Sequence, residues 1–202
     1  MPAEEPRADR LRRFVEEAGF KPRAVAGMQQ VHEARIEPVR EDQDVVLSSC
    51  DGLVTDRPGV ALVVRTADCL PVVAWDARRR KLGVAHAGWR GLRAGILKRF
   101  VESMGSADLE IGIGPGIGPC CYEVGPEFEA WFPGHLQRKQ PNSFLLDLVG
   151  AAKAQMAEAG VAPGRIPAAE WCTACSPELC HSFRRDGAAA GRMLTIAMIK
   201  GE

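Results

Sequence analysis

Two histidines and one cysteine stand at the ends of apolar segments that have the composition of strands. His32, Cys69 and His86 each follow such a segment, at the point where the backbone enters a loop. Side chains at strand ends can converge on one point, and three N and S ligands with a fourth position left for water are typical of catalytic zinc. Such a metal would hold Cys69 as a thiolate and lower the pKa of bound water. Spacing alone leaves open that all three are core side chains.

A more compact group of potential ligands lies near the C-terminus and contains Cys172, Cys175, Cys180 and His181. A zinc knuckle would place its fourth ligand at Arg185, which cannot bind a metal. A redox C-x-x-C pair would open a helix, whereas a proline and a loop follow here. The pattern favours packing or lining of an active site, and it leaves structural zinc and a redox pair open.

The glycine-rich stretch 112–121 does not have the spacing of a phosphate-binding loop. A G-x-G-x-x-G count from its first or second glycine ends on an isoleucine or a proline, and no Walker lysine follows. We therefore expect a strand that leads into a tight loop near a ligand. The spacing assigns no role to the adjacent Cys120 and Cys121.

Arginines at turns and at the starts of helices are better candidates for anion binding than the glycine-rich stretch. Arg90 precedes Gly91 at the start of a predicted helix, which favours anions. Arg184 and Arg185 form a second candidate pair, with a solvated turn as the alternative. The basic run 78–81 lies between two apolar segments and is predicted to be a hairpin turn.

The composition excludes several classes of protein. The 202 residues are 46% hydrophobic and 26% charged with zero formal net charge, and the basic residues are spread along the chain, so no nucleic-acid partner is expected. No apolar window approaches the roughly 18 residues of a membrane span, and residues 1–20 do not have the pattern of a signal peptide. Seven cysteines, an odd number, favour reducing cytoplasm. We expect one domain over residues 1–202.

The hydrophobic pattern predicts a mixed α/β (α+β) layered fold. Strands and helices alternate without a regular βαβ repeat, which disfavours a doubly wound sheet. The predicted helices cover 8–18, 91–104, 126–132 and 144–159. The predicted strands cover 24–31, 45–48, 52–55, 60–67, 71–75, 81–87, 109–114 and 192–200.

Read together, the motifs resemble the laccase-domain family, also called YfiH-like or multi-copper polyphenol oxidase-like proteins and now described as purine nucleoside phosphorylases. The resemblance covers nearly the whole chain from about residue 27. It rests on QVH at 30–32, DGLVT at 51–55, TADC at 66–69, HAGWRG at 86–91, GPGIGPCCYEVG at 114–125, CTAC at 172–175 and RRDG at 184–187.

This resemblance implies a four-layer αββα fold in which His32, Cys69 and His86 hold zinc. It also implies phosphorolysis of adenosine, inosine and methylthioadenosine, together with deamination of adenosine, by a monomer or homodimer that binds nucleoside and phosphate. We expect Asp68, Cys69 and His86 to be catalytic, although Asp68, as a neighbour of a ligand, could face away. Substrate or phosphate is expected to contact Arg90, Arg184, Arg185 and Gln30.

The chain departs from the family pattern in two places. Relatives carry an arginine-glycine-glycine motif before the first helix, and we expect that segment to be absent or shortened here, which puts phosphate binding in doubt. Cys180 and His181 stand where the family often has two aromatic residues, so the pocket wall is expected to differ.

Three other functions stay open from the residues. Four histidines are too few for the copper cluster of a true laccase, yet Cu²⁺ could occupy the His-Cys-His ligands. Cys69 could instead be a nucleophile with His86 as its base. For such a hydrolase, the family resemblance implies peptidoglycan precursors as substrates. The chain could also be a binding module without catalytic activity.

Overall fold

The computed structural model of the protein describes residues 7–40 and 42–201. The segment before the first helix, where the shortened N-terminus is expected, lies outside them. The helices are α1 (Arg7–Glu17), α2 (Trp89–Arg93), α3 (Ile96–Met104), α4 (Phe128–Trp131), α5 (Leu148–Glu158) and α6 (Phe183–Asp186). The strands are β1 (Ala24–Met28), β2 (Ile36–Pro38), β3 (Val45–Leu47), β4 (Gly52–Thr55), β5 (Val60–Thr66), β6 (Leu70–Asp76), β7 (Lys81–Ala87), β8 (Glu110–Ile113), β9 (Glu123–Val124), β10 (Leu136–Gln140), β11 (Ser143–Leu146) and β12 (Met193–Met198).

Two large sheets form the centre of the fold. The first has the strand order β12-β5-β1-β3, with β1 parallel to both β5 and β3. The second has the order β2-β4-β7-β6-β8, and all of its pairs except β2 with β4 are antiparallel. Strands β5 and β7 contact each other across the two sheets, so the sheets pack face to face.

Helices cover the outer faces of both sheets. Helix α1 packs on β1 and β3 through Leu11 and Val15, while α3 packs on β7 through Phe100. The layer between the sheets is filled by aliphatic side chains such as Met28, Leu62 and Val84. The predicted mixed α/β fold with αββα layers is therefore confirmed.

Two predicted helices have different bounds in the structure. The helix expected over 91–104 is divided into α2 and α3, because Gly95 between them has φ of +82° and cannot continue a right-handed helix. The helix expected over 144–159 begins only at Leu148. Asp147 precedes it and accepts a hydrogen bond from the backbone N–H of Gly150 at 2.8 Å, which is the contact of a helix cap.

Several short elements escaped sequence prediction. Strands β9, β10 and β11 form a small antiparallel sheet, and β2 pairs with β4. The predicted turn at 78–81 does join β6 to β7 in an antiparallel hairpin. Within the described residues, no helix combines the length and apolar character needed to cross a membrane.

Candidate metal centre and substrate cavity

The structure brings together the three side chains that the sequence proposed as metal ligands. Potential ligand atoms of His32, Cys69 and His86 all lie within 4.8 Å of one another. The two imidazole rings meet edge to face, with their centroids 4.8 Å apart. Two N donors and one S donor at this separation match the donor set of a zinc or copper site.

Loop geometry makes this convergence feasible. His32 lies in the loop after β1 with φ of +63°, and Asp68, next to Cys69, has φ of +82°. These left-handed conformations are uncommon outside glycine and indicate backbones that the surrounding structure holds in place. Gly88 leaves room for both ligands, because a Cβ atom there would lie 2.7 Å from Cys69 Sγ and 3.5 Å from the His32 ring.

Asp51 connects two of the three candidate ligands, His86 and His32. Its fully buried carboxylate accepts a hydrogen bond from His86 Nδ1 at 2.8 Å and from the backbone N–H of His32 at 3.0 Å. The N–H groups of Val31 and Glu33 also donate to it, at 3.1 and 2.9 Å. With Nδ1–H donating to Asp51, His86 presents Nε2 to the site, which is how carboxylates orient metal-binding histidines.

The same contacts shift the pKa values of Asp51, His86 and Cys69. Burial raises the pKa of the Asp51 carboxyl, but hydrogen bonds from His86, Glu33 and Val31 outweigh burial and hold it below its usual value. Burial lowers the pKa of His86, whereas Asp51 and Cys69 raise it to about 9. Burial also raises the pKa of Cys69, and hydrogen bonds to His32 and His86 lower it to about 7. The cluster therefore brings the ionisation of the Cys69 thiol close to neutral pH.

Replacing Asp51 by asparagine is expected to weaken the affinity of this site for a metal ion about 10- to 100-fold, as is usual for partners of metal-binding histidines. The amide would present an NH₂ group among backbone donors and would leave His86 without an ionised acceptor. Competition with a chromophoric chelator measures the affinity. The matched control is Asp76→Asn, because Asp76 is a buried carboxylate at the end of β6 that accepts a hydrogen bond from the Arg79 N–H. Equal losses in both variants would contradict a specific role for Asp51.

The three candidate ligands form part of the wall of a cavity of about 670 Å³. This volume lies within the range of roughly 300–1,000 Å³ that is usual for small-molecule sites. Four arginines and three aromatic residues also line it: Arg65, Arg90, Arg184, Arg192, Trp89, Tyr122 and Phe183. The cavity therefore joins a metal-capable cluster to a basic, aromatic wall.

Asp68 faces this cavity together with Cys69, because the positive φ turns the chain between them. Its carboxylate accepts hydrogen bonds from the Thr173 hydroxyl and the Arg184 N–H, both at 2.6 Å. The Arg184 guanidinium lies over the Tyr122 ring, 5.2 Å from its centroid, and donates to the carbonyl oxygen of Glu123 at 2.9 Å. Arg184 therefore reaches the cavity through both its backbone and its side chain.

The other predicted binding residues have different positions. Gln30 lines the cavity, but its amide group is bonded to the backbone of Arg65, at 2.7 Å through Nε2 and 3.0 Å through Oε1. The structure does not bring Arg185 to the cavity. Its guanidinium donates to the carbonyl oxygens of Thr173 and Cys180, both at 2.9 Å, and so holds the C-terminal loop.

The comparisons with known proteins agree with this arrangement. The model of a family described as multi-copper polyphenol oxidoreductase laccase matches residues 4–200. The chain belongs to this family. Within it, the chain is 35% identical to purine nucleoside phosphorylase YlmD of Geobacillus stearothermophilus, over 91% of this chain and 75% of that protein.

Two further known proteins are similar to this chain. Adenosine deaminase RL5, from an unknown prokaryotic organism, is 32% identical over 82% of this chain and 71% of its own. The crystal structure of YfiH from Bacillus licheniformis superimposes with a TM-score of 0.88 and 29% identity, over 96% of this chain and 80% of that one. The names of these relatives support an enzyme with small-molecule substrates.

Sequence reasoning missed several residues of this laccase-like site. Asp51 lay inside a motif, but no local pattern shows that a carboxylate will meet a histidine 35 residues away. Arg65 and Arg192 reach the cavity because β5 and β12 pair there. Cys180 is buried and His181 is exposed, and it is the neighbouring Phe183 that lines the cavity.

Proposed function

We propose that this protein is a zinc-dependent purine nucleoside phosphorylase, with adenosine deaminase activity, that acts on adenosine, inosine and methylthioadenosine. The observation that carries the proposal is the single cavity in which His32, Cys69 and His86 adjoin arginines and aromatic rings. The names of the relatives supply the substrate class.

His32, Cys69 and His86 would hold the zinc ion. The fit rests on their donor chemistry, on the space that Gly88 leaves, and on the Asp51 contact that directs His86 Nε2 to the site. When bound, zinc would supply Lewis-acid stabilisation of charge that develops on the substrate. Copper could occupy the same ligands, because Cu²⁺ generally binds N and S sites more tightly than Zn²⁺ does.

Arg90 and Arg184 are the groups that we expect to bind phosphate. Among residues 7–40 and 42–201, no carboxylate forms an ion pair with Arg90, so its charge is available to an anion. Arg90 also stacks on Trp89, with its guanidinium carbon 4.5 Å from the ring centroid, which orients the donors. A guanidinium suits phosphate because it can donate two parallel hydrogen bonds.

In phosphorolysis, a phosphate oxygen forms a bond to C1′ of the ribose as the bond from C1′ to the purine nitrogen breaks. The electron pair of that bond goes to the purine, which takes up the proton that dihydrogen phosphate gives up. Asp68 is the proposed proton carrier, since Thr173 and the Arg184 N–H hold its carboxylate at the cavity wall. Phe183, which is exposed at the cavity, offers a ring face on which a purine can stack, whereas Trp89 and Tyr122 already contact other side chains.

Deamination would use the same cavity with water in place of phosphate. Water adds to the purine carbon that bears the amino group, and ammonia leaves after taking up a proton. Asp68 would accept the proton from water and return it to the departing nitrogen. Because no multiply charged nucleophile is needed, this reaction depends less on the arginines.

The proposal predicts that zinc-loaded protein converts adenosine and phosphate to adenine and ribose 1-phosphate, with some inosine. Chromatography of the products, with inosine and methylthioadenosine as parallel substrates, measures both reactions. Omitting phosphate is the control and should abolish adenine while leaving inosine. If neither product forms, and a phenol is oxidised only after copper is supplied, the purine proposal is wrong.

One observation favours a second candidate, the cysteine hydrolase. The Cys69 thiol is hydrogen bonded to His86 and has a pKa lowered to about 7, which are properties of an activated nucleophile. With zinc bound, Cys69 should react slowly with an alkylating agent if it is a metal ligand and rapidly if it is a nucleophile. The rate of alkylation therefore separates the two functions.

A further inference from the structure

A second cluster of cysteines lies outside the His-Cys-His group. Four sulfur atoms, from Cys120, Cys121, Cys172 and Cys175, all lie within 4.8 Å of one another. Cys121 Sγ and Cys120 Sγ are 3.2 and 3.6 Å from Cys175 Sγ. Two separate loops therefore contribute an adjacent pair and a C-x-x-C pair to one point.

We propose that these four cysteines bind a structural Zn²⁺ ion, distinct from the metal in the cavity. Zinc with four thiolate ligands is tetrahedral with Zn–S of about 2.3 Å, which places the sulfurs about 3.8 Å apart. The Sγ–Sγ distances of 3.2 and 3.6 Å need only small adjustments to reach that geometry. Four convergent thiols suit one tetrahedral ion, whereas a disulfide joins sulfurs only in pairs.

The backbone around the cluster is arranged to support a thiolate site. The N–H of Gly118 donates to Cys172 Sγ at 3.2 Å, and hydrogen bonds to sulfur are a usual feature around metal-bound thiolates. A Cβ at Gly118 would lie 3.2 Å from Cys172 Cβ and 3.3 Å from Cys120 Sγ, closer than side chains normally pack. Glycine therefore lets the first loop approach the second.

Arg185 braces the turn that carries the C-x-x-C pair, and an ion pair with Asp186 at 2.7 Å balances its charge. The guanidinium of Arg185 donates to the carbonyl oxygens of Thr173 and Ala174, inside the C-x-x-C turn, at 2.9 and 3.3 Å. Because the Arg185 side chain is bonded to this turn, it does not reach the cavity.

The two loops joined by the cluster also build the cavity wall. The N–H of Thr173 donates to the carbonyl oxygen of Gly116 at 3.0 Å, and the Thr173 hydroxyl holds Asp68. Ile117 and Tyr122, which flank the cysteine pair, line the cavity. The metal would position these groups without contacting substrate.

Zinc counting in matched variants tests the proposal. Protein produced with zinc and purified with a reductant and no chelator should contain two zinc ions per chain. Cys172→Ser/Cys175→Ser should contain one and have a lower Tm, whereas the matched control Cys50→Ser/Cys180→Ser should keep two. Cys69→Ser should lose only the other ion, so failure of the catalytic site is distinguishable from failure of this one.

Three outcomes would overturn the proposal. The Cys172→Ser/Cys175→Ser variant could keep as much zinc as the wild type. The wild type could bind zinc only at the site that Cys69→Ser removes. Intact-mass analysis of protein purified with a reductant could still show disulfides among these cysteines. If the double variant does not fold, the Cys69→Ser protein loaded with Co²⁺ provides a second test. It should show the visible absorption bands of tetrahedral thiolate coordination, and the absence of these bands would contradict the proposed four-cysteine site.

Discussion

Replacing Cys69 by serine is expected to remove one zinc equivalent per chain and to reduce both phosphorolysis and deamination at least about a thousandfold. The size follows from a metal contribution of several kcal/mol, since about 1.4 kcal/mol corresponds to a factor of ten in rate. Metal analysis and product assays on the same preparations measure the two effects. The matched control is Cys50→Ser, because Cys50 is fully buried and lies outside both cysteine-containing clusters.

Alkylation of the wild-type thiol separates the metal ligand from the hydrolase nucleophile. With zinc bound, Cys69 should react slowly. After chelation its rate should rise with pH and reach half of its maximum at about 7, because the thiolate is the reactive form. Rapid labelling with zinc present, together with a covalent intermediate, would instead support the cysteine hydrolase.

Replacing Arg90 by alanine is expected to reduce phosphorolysis about 10- to 100-fold, the equivalent of a charge-assisted contact worth about 1.5–3 kcal/mol. Deamination should change little, because its nucleophile is neutral water. Steady-state kinetics with phosphate as the varied substrate measures the first reaction, and inosine formation without phosphate measures the second. Arg90→Lys should be intermediate, since it keeps the charge but loses the planar pair of donors.

The control for Arg90 is Arg78→Ala. Arg78 lies in the exposed β6–β7 turn and is 3.7 Å from Asp108, so its loss removes an arginine without touching the cavity. Since Arg90 also stacks on Trp89, Tm should be compared for all variants. Equal losses in both reactions would mean that Arg90 positions the nucleoside and does not bind phosphate.

The strands and helices were predictable where apolar residues repeat and glycine, proline or charged residues bound them. The central strands β4, β5, β6 and β7 follow such runs closely. The prediction was wrong where a partner decides the conformation. Phe144 and Leu148 have the spacing of a helical stripe, but pairing with β10 and β9 makes residues 143–146 a strand. Strand β10 is mostly polar and exposed, so hydrophobic patterning could not reveal it.

The candidate site was predictable in its donor types and only in part in its geometry. His32, Cys69 and His86 could be proposed from strand ends and from the family motifs, and their convergence is observed. The roles proposed for Asp68, Arg90 and Arg184 stay predictions, although all three line the cavity. Gln30 and Arg185 were expected to contact substrate or phosphate, but their side chains donate hydrogen bonds to backbone carbonyl oxygens. The sequence could not show this, because the partners of a side chain depend on loops distant in sequence.

The sequence by itself determined the layered α/β class, the family and the N and S donors of the metal site, because these follow from local hydrophobic pattern and from short motifs. Only the tertiary structure decided that Asp51 orients His86, that Arg65 and Arg192 enter the cavity, and that two cysteine pairs meet. The physical reason is that each of these contacts joins segments from different loops. The distances across these contacts depend on strand register and on the left-handed backbone conformations of His32 and Asp68. Neither feature produces a periodic pattern in the amino-acid sequence.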